Sequence, residues 1–522
     1  MRKLFQNAAS VSVLTLFSRI LGVMRDALIA MVFGASMPSD AFFIAFRPFD
    51  LLRKMFSDGI LSISFVPIFS GYLEKGRKDQ AIALFLSGLF LVSVAGVIIV
   101  IAGVFFAPFL VNVLAPGFVS GSYAHSLTMV LLKIMLPYLF VILTLALCMG
   151  VLNSLGDFCL PAATPIVLNF VVILFALFVS SNFRSPIIGL ALGVTIGGGI
   201  QLALQIPFLI RHGMMDFSRF KWFHPGLVKI GKTMIPCMIG AASYQINIMI
   251  ASLFASKLSQ GSISFLYYAD RLVQFPLALF AVSFSTVLLP SLSRAVTQGK
   301  HDGVPAEVSN EVFKEFAKGA SLVFFVTIPA MAGLLVLAGP IVSLLFKQGA
   351  FDVSAVHHTA GCLFYLVLGL WAYTGTRLFV TLHYALSSFR LPFVAGLVAI
   401  GFNLVLCWFL VGDFGVRGLA LSVCLSSMAG FGVLFVNMPG TFSRRHLIVS
   451  ACRAVFLSVI MFFFVRWTAQ FIVTEEYGKL GLGAGIFTCI LLGIGCFVLT
   501  AVLTASPEIK QIMQMLKKDD PQ

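Results

Sequence analysis

"TLFSRILGVMRDALIAMVFGA" (Thr15–Ala35) has the apolar background of a membrane helix, yet it carries Arg19, Arg25 and Asp26. A charge at mid-bilayer costs about 3 kcal/mol on insertion scales and more than about 10 kcal/mol in simulations. Three in one segment therefore need a reason. At 100° per residue, helix positions seven apart nearly superimpose. Ser18 and Arg25 share one line and Arg19 and Asp26 the line beside it, while Leu14, Leu21 and Leu28 keep the opposite face apolar. The charges form a stripe on a helix otherwise suited to lipid.

The rest of the chain has the same character. Of 522 residues, 59% are hydrophobic and 11% charged, against about 45–50% apolar and about 25% charged in soluble domains. The apolar runs suit helices of about 20 residues, and alternating barrel strands are absent. The sequence predicts an all-α integral membrane protein with fourteen transmembrane helices, the second over 40–72, the third over 80–113 and the eighth over 264–298. Arg2 and Lys3 precede only a short run, Val11–Phe17, with no small-x-small cleavage site, so the first helix is expected to be retained.

The net charge of +15 does not point to nucleic acid, because Lys and Arg sit mainly in short loops. With the N-terminus inside, twenty-one of them fall at the termini and in alternate loops, and five in the opposite loops. The positive-inside rule then places both termini in the cytoplasm. Nine more lie within predicted spans. Lys54, Lys133 and Arg466 are near enough to helix ends to snorkel; Arg19, Arg25 and Arg271 are not.

"FFIAFRPFDLLRKMFSDGILSISFVPIFSGYLEKG" (Phe42–Gly76) resembles "LYYADRLVQFPLALFAVSFSTVLLPSLSRAVTQG" (Leu266–Gly299), with Arg47 against Arg271 and, allowing one gap, Pro67 against Pro290. The repeat implies two six-helix lobes, 1–225 and 226–440, related by a pseudo-two-fold axis along the membrane normal, and two further helices in 441–522. Such lobes fit a transporter rocking about a central cavity. Gly189, Gly193 and Gly197 recur at the spacing of a close helix contact, and Arg211–Gly226 mixes basic and aromatic residues as an interfacial helix does. No G-x-x-x-x-G-K-[ST] motif marks an ATPase. The nine cysteines are scattered and read as small buried hydrophobes. His357 and His358 would point about 100° apart on a helix, so no metal site is expected.

On the second helix Asp40, Arg47 and Lys54 are spaced by sevens, with Asp50 nearby and Arg53 pointing elsewhere unless Pro48 bends the helix. Two readings are open. Structural ion pairs, such as Arg25 with Asp40 or Arg19 with Asp26, account for single residues; Asp50 and Asp58 are further candidates. An anion-carrying cavity accounts for the set, because excess interior positive charge needs water or an anionic ligand. Arginine's planar fork suits bidentate contact with phosphate.

"LFSRILGVMRDALIAMVFGA", "SDAFFIAFR", "LLRKMF", "FVPIFSGY", "APGF" (Ala115–Phe118), "LPAATPIVLN" (Leu160–Asn169) and "YYADRLVQFP" (Tyr267–Pro276) resemble the MurJ lipid II flippase family. That family belongs to the multidrug/oligosaccharidyl-lipid/polysaccharide exporter superfamily. The resemblance implies a bacterial cytoplasmic-membrane transporter, not an enzyme, moving lipid II to the outer leaflet for peptidoglycan synthesis. Lipid II is an undecaprenyl-diphosphate-linked disaccharide pentapeptide. By match to the family's motifs, Arg19, Arg25, Asp26, Asp40, Arg53 and Arg271, with Ser18 and Asn169, handle this substrate, and the last two helices form a groove for its tail. A monomer without cofactor, driven by membrane potential, is expected, with membrane lipids and cell-wall synthesis proteins as further partners. The alternative is an exporter of another polyprenyl-diphosphate saccharide, or of drugs. Two features depart from the family. Phe49–Asp50 stand where relatives often have Pro–Asn, and the seventh and eleventh helices offer Asn247 and Asn403 but no carboxylate for a sodium site.

Overall fold

A computed structural model describes residues 2–55, 64–278, 310–386, 388–438, 444–473 and 478–511. Among them, eight helices are long and apolar enough to cross a membrane, and a ninth if a pair bent by 45° is one span. The chain is therefore a multi-pass helical membrane protein. It divides into two compact units.

The first unit comprises 1–264 with 348–352. Its helices are α1 (Arg2–Phe33), α2 (Met37–Met55), α3 (Val66–Glu74), α4 (Lys78–Phe105), α5 (Ala107–Leu114), α6 (Tyr123–Ser154), α7 (Cys159–Leu174), α8 (Ile187–Arg211) and α9 (Pro225–Ala255). The most enclosed of the apolar helices is α6, which packs against α2, α4 and α8. Its Leu147 and Leu152 make a core with Phe65, Phe69 and Phe85. Gly34 ends α1 at φ +62°, a conformation open to glycine. Its missing Cβ also makes room for the Ala350 carbonyl, while Ala350 donates its N–H to the Met31 carbonyl at 2.9 Å.

The glycine spacing on α8 has the expected effect. A Cβ on Gly193 would lie 2.9 Å from Phe175 Cβ, and one on Gly197 would lie 3.0 Å from Leu168 Cδ1. Backbone-close packing on α7 and the π-turn Phe175–Val179 depends on that space. Gly193→Leu is expected to cost about 1–3 kcal/mol of overpacking, read as a lower unfolding temperature in detergent. An unchanged temperature would remove this contact from the account of stability.

Three sequence expectations are revised. The second predicted helix is interrupted by a turn at Phe65, just before α3, and its stretch 56–63 lies outside the described residues. Asp58 lies in 56–63, outside the described residues. The third breaks at Phe106 into α4 and α5. Arg211–Gly226 is no interfacial helix but a short 3-10 turn, Phe217–Arg219. Asp216 accepts the Ser218 N–H at 3.1 Å and its hydroxyl at 2.6 Å, a local arrangement that competes with helix. Phe220 and Trp222 then set their rings 5.6 and 5.2 Å from Phe90. His224 starts α9 by accepting the Gly226 N–H on Nδ1 at 3.1 Å. Burial, with nearby Lys221, holds its pKa below the ordinary value, which keeps that nitrogen an acceptor.

The second unit comprises 265–347 and 353–522. It holds most of α10 (Ser262–Pro276), then α11 (Asn310–Phe346), α12 (Val353–Leu368), α13 (Leu370–Ala385), α14 (Arg390–Val436), α15 (Arg444–Ile472) and α16 (Gly478–Leu503). Here α11 packs against α12, α13 and α15, over a phenylalanine-rich core in which the Phe316–Phe379 and Phe379–Phe431 centroids are 5.1 and 5.3 Å apart. Gly415, at φ 55° and ψ −136°, breaks α14 near its middle. Pro290, the repeat's second proline, lies in 279–309, outside the described residues. The units follow contact and the lobes follow the repeat, so α9 falls in the first unit although the repeat assigns it to the second lobe.

Candidate functional site

The stripe on α1 becomes a buried ionic group. Arg25 is 7% exposed and Asp26 3%. The Arg25 Nε and Nη2 donate to one Asp26 oxygen at 3.0 and 2.7 Å. Neighbours in sequence seldom face each other on a helix, and only a side chain as long as arginine can fold back this way. Nη1 donates to Asn169 Oδ1 at 3.0 Å, and Asn169 Nδ2 donates to the Ser18 carbonyl at 3.1 Å. Helix α7 lies against α1, so Asn169 orients Arg25 from across the helix pair. Four predicted residues, Ser18, Arg25, Asp26 and Asn169, are brought together. Arg19, on the same helix, is half-buried.

On α2 the sevenfold spacing has a different meaning. Arg47 Nη2 donates to Ser252 Oγ at 2.8 Å, and Lys54 Nζ donates to Gln245 Oε1 at 3.1 Å. These partners are seven apart on α9, in reverse order. Asp40 extends the series. Its carboxylate accepts the Gly261 N–H at 2.6 Å, the Ser264 N–H at 2.8 Å and the Ser264 hydroxyl at 2.6 Å. The stripe is a polar seam that aligns α2 antiparallel to α9, then caps the start of α10 from outside. Among the described residues Asp40 therefore pairs with no arginine, and the expected Arg25–Asp40 pair is not formed. Lys54, expected to snorkel, is 9% exposed, whereas Lys133 and Arg466 are exposed.

Asp50 is central to the second ionic group. It is buried, with one oxygen 2.6 Å from Arg53 Nη2 and the other 2.9 Å from Lys54 Nζ. Arg53 thus comes to the same carboxylate as Lys54. In the second unit Arg271 donates through Nε and Nη2 to the Tyr267 hydroxyl at 3.1 and 2.7 Å, its guanidinium 4.9 Å from that ring's centroid. The sequence passed over Tyr267 as a partner of Arg271, for which their four-residue spacing was the available signal. Among the described residues no group of three or more His, Cys, Asp or Glu could hold a metal.

The family model "Lipid II flippase MurJ" matches residues 29–483. The chain belongs to the MurJ family of lipid II flippases. A "Probable lipid II flippase MurJ" of Buchnera aphidicola subsp. Acyrthosiphon pisum is 36% identical over 493 residues, covering 94% of each chain. One of Vibrio cholerae is 33% identical over 95% of this chain and 97% of its own. A "Lipid II flippase MurJ" of Burkholderia cenocepacia is 32% identical, covering 82% and 83%. The solved structure of a lipid II flippase MurJ in an inward closed conformation superposes with a TM-score of 0.77 at 27% identity, covering 94% of this chain and 98% of that one. A multidrug resistance MATE family transporter of the MOP superfamily, inward-facing, gives 0.66 at 12% identity, over 87% of this chain and 98% of that one. At that identity the likeness shows the fold alone. Membership of the MurJ family makes the chain a transporter rather than an enzyme.

Proposed function

We propose that this chain moves lipid II from the inner to the outer leaflet of the bacterial inner membrane, with the diphosphate held by Arg25, Arg53 and Arg271. One observation carries the site assignment. Arg25 is neutralised by Asp26 through Nε and Nη2, while Nη1 rests on the neutral amide of Asn169. A phosphate oxygen can replace an amide oxygen there and gain charge assistance. Arg53 is the second contact of the first unit, released as Asp50 keeps Lys54. Arg271, presented by Tyr267, is the contact of the second unit. Arg19, Asp26 and Ser18 shape the site, and Asp40 is a tether.

The architecture proposed for this task has fourteen spans in two pseudo-symmetric lobes, 1–225 and 226–440, with 441–522 supplying a groove for the polyprenyl tail. Both termini are cytoplasmic and the working unit is a monomer. Asp40 and its partners then lie toward the outer face. The proposed energy source is the membrane potential, without a cofactor. Inside-negative potential favours outward movement of an anion by about 2.3 kcal/mol per charge per 100 mV, so about 5 kcal/mol for two charges.

Dissipating the potential is expected to slow appearance of lipid II at the outer surface; no slowing would refute the energetic proposal. Arg271→Ala is expected to reduce flipping, and normal flipping by a stable Arg271→Ala protein would remove Arg271 from the phosphate contacts.

A further inference from the structure

Tyr138 lies near the middle of α6, fully buried at 0% exposure. Its hydroxyl has no hydrogen-bond partner among the described residues. A buried hydroxyl that gives up water without gaining a partner is a net loss, which a phenylalanine in the same place avoids. The chain has 54 Phe and 10 Tyr, so a ring needed only for packing would by its own habits be Phe. The ring is also accommodated at some cost in helix packing. A Cβ on Gly198 of α8 would lie 2.5 Å from Tyr138 Cε2, and Gly198 stands off the Gly189–Gly193–Gly197 face that packs on α7. This glycine is explained by Tyr138.

The surroundings indicate what the hydroxyl is for. Phe49 of α2 sets its ring 6.4 Å from that of Tyr138. The charges of Arg53, Asp50 and Arg25 all act on the hydroxyl. Tyr138 therefore stands within electrostatic reach of both ionic groups of the first unit, on the helix that packs against α2 and α8. It is a neutral donor near two guanidinium groups, and an oxygen-rich anion can accept from all of them at once.

We propose that the Tyr138 hydroxyl is a further substrate-binding group, donating to a diphosphate oxygen when the headgroup engages Arg25 and Arg53. It rests on the reading of those arginines as the phosphate contacts. In the state described here the hydroxyl waits unpaired, and the substrate supplies its acceptor. Binding then removes the penalty of the buried donor as well as adding a charge-assisted bond.

The test is titration of lipid II into the full detergent-solubilised chain, with undecaprenol, which lacks phosphate, as a second probe. Tyr138→Phe is expected to bind lipid II about tenfold more weakly, with an unfolding temperature unchanged or raised. Gly198→Ala keeps the hydroxyl but displaces the ring, and is expected to weaken binding too. Undecaprenol should bind wild type and Tyr138→Phe alike. Unchanged lipid II affinity in Tyr138→Phe overturns the proposal. So does a lower unfolding temperature with the affinity loss, which makes the hydroxyl structural, and so does an equal loss for undecaprenol, which removes phosphate from the account. Arg25→Ala run in parallel separates the two readings. If it binds normally, the arginine site itself falls; if it fails while Tyr138→Phe binds normally, only Tyr138 is removed.

Discussion

Arg25→Ala is expected to lower lipid II flipping at least about a hundredfold, because it removes the guanidinium whose Nη1 makes a charge-assisted bond to phosphate. The same change takes away the guanidinium that meets Asp26 through two nitrogens. Breaking a buried pair from one side costs about 3–5 kcal/mol, so loss of function could follow from loss of protein. Arg25→Lys separates the two. The ammonium still neutralises Asp26 but cannot hold Asp26 with two nitrogens while presenting a third to phosphate in the same plane. Near-normal protein levels with strongly reduced lipid II exposure at the outer surface are expected. A lysine variant that flips at the wild-type rate would show that only charge matters at this position.

Asp40→Ala is expected to have the largest effect on stability, about 3 kcal/mol or more. It leaves the Gly261 and Ser264 N–H groups of the α10 start without their acceptor, in a place 4% exposed at Asp40. Loss of a cap alone costs about 1 kcal/mol, and each buried donor left unsatisfied about 1–3 kcal/mol. Ser264→Ala removes one of the three bonds and keeps the backbone pair, so about 1 kcal/mol is expected. Denaturation of both variants in detergent checks the ranking. An Asp40→Ala protein as stable as wild type, yet inactive, would return Asp40 to the substrate and away from the tether.

Much of this was legible in the sequence. Arg25 and Asp26 could be placed on one stripe because helical periodicity is local, and Asn169 could be named from the motif that carries it. The α8 glycine contact followed from spacing alone. Asp40 was misread as a neutraliser of arginine because its partners, Gly261 and Ser264, are more than 200 residues away and two of the three bonds come from backbone, which no residue type announces. Lys54 was given to the membrane interface since its depth in α2 looked shallow, and only Gln245 and Asp50 show it buried. Arg53 was expected on another face, but a side chain of its length reaches Asp50 one turn back.

The sequence by itself determined that the bilayer is the solvent, that charges occur in stripes, and to which family the chain belongs. Composition, period and motif are properties of short stretches, and they survive without coordinates. Tertiary structure decided what each stripe faces. The stripe of α1 turns toward α7 and becomes an ionic group around Arg25, whereas the equally regular stripe of α2 turns toward α9 and becomes a seam. Two regular stripes thus end differently, one as an ionic group between α1 and α7 and the other as a row of bonds that aligns α2 with α9. Period fixes which residues share a face; only packing fixes the partner, since a buried charge settles against whatever donor or acceptor the neighbouring helix presents.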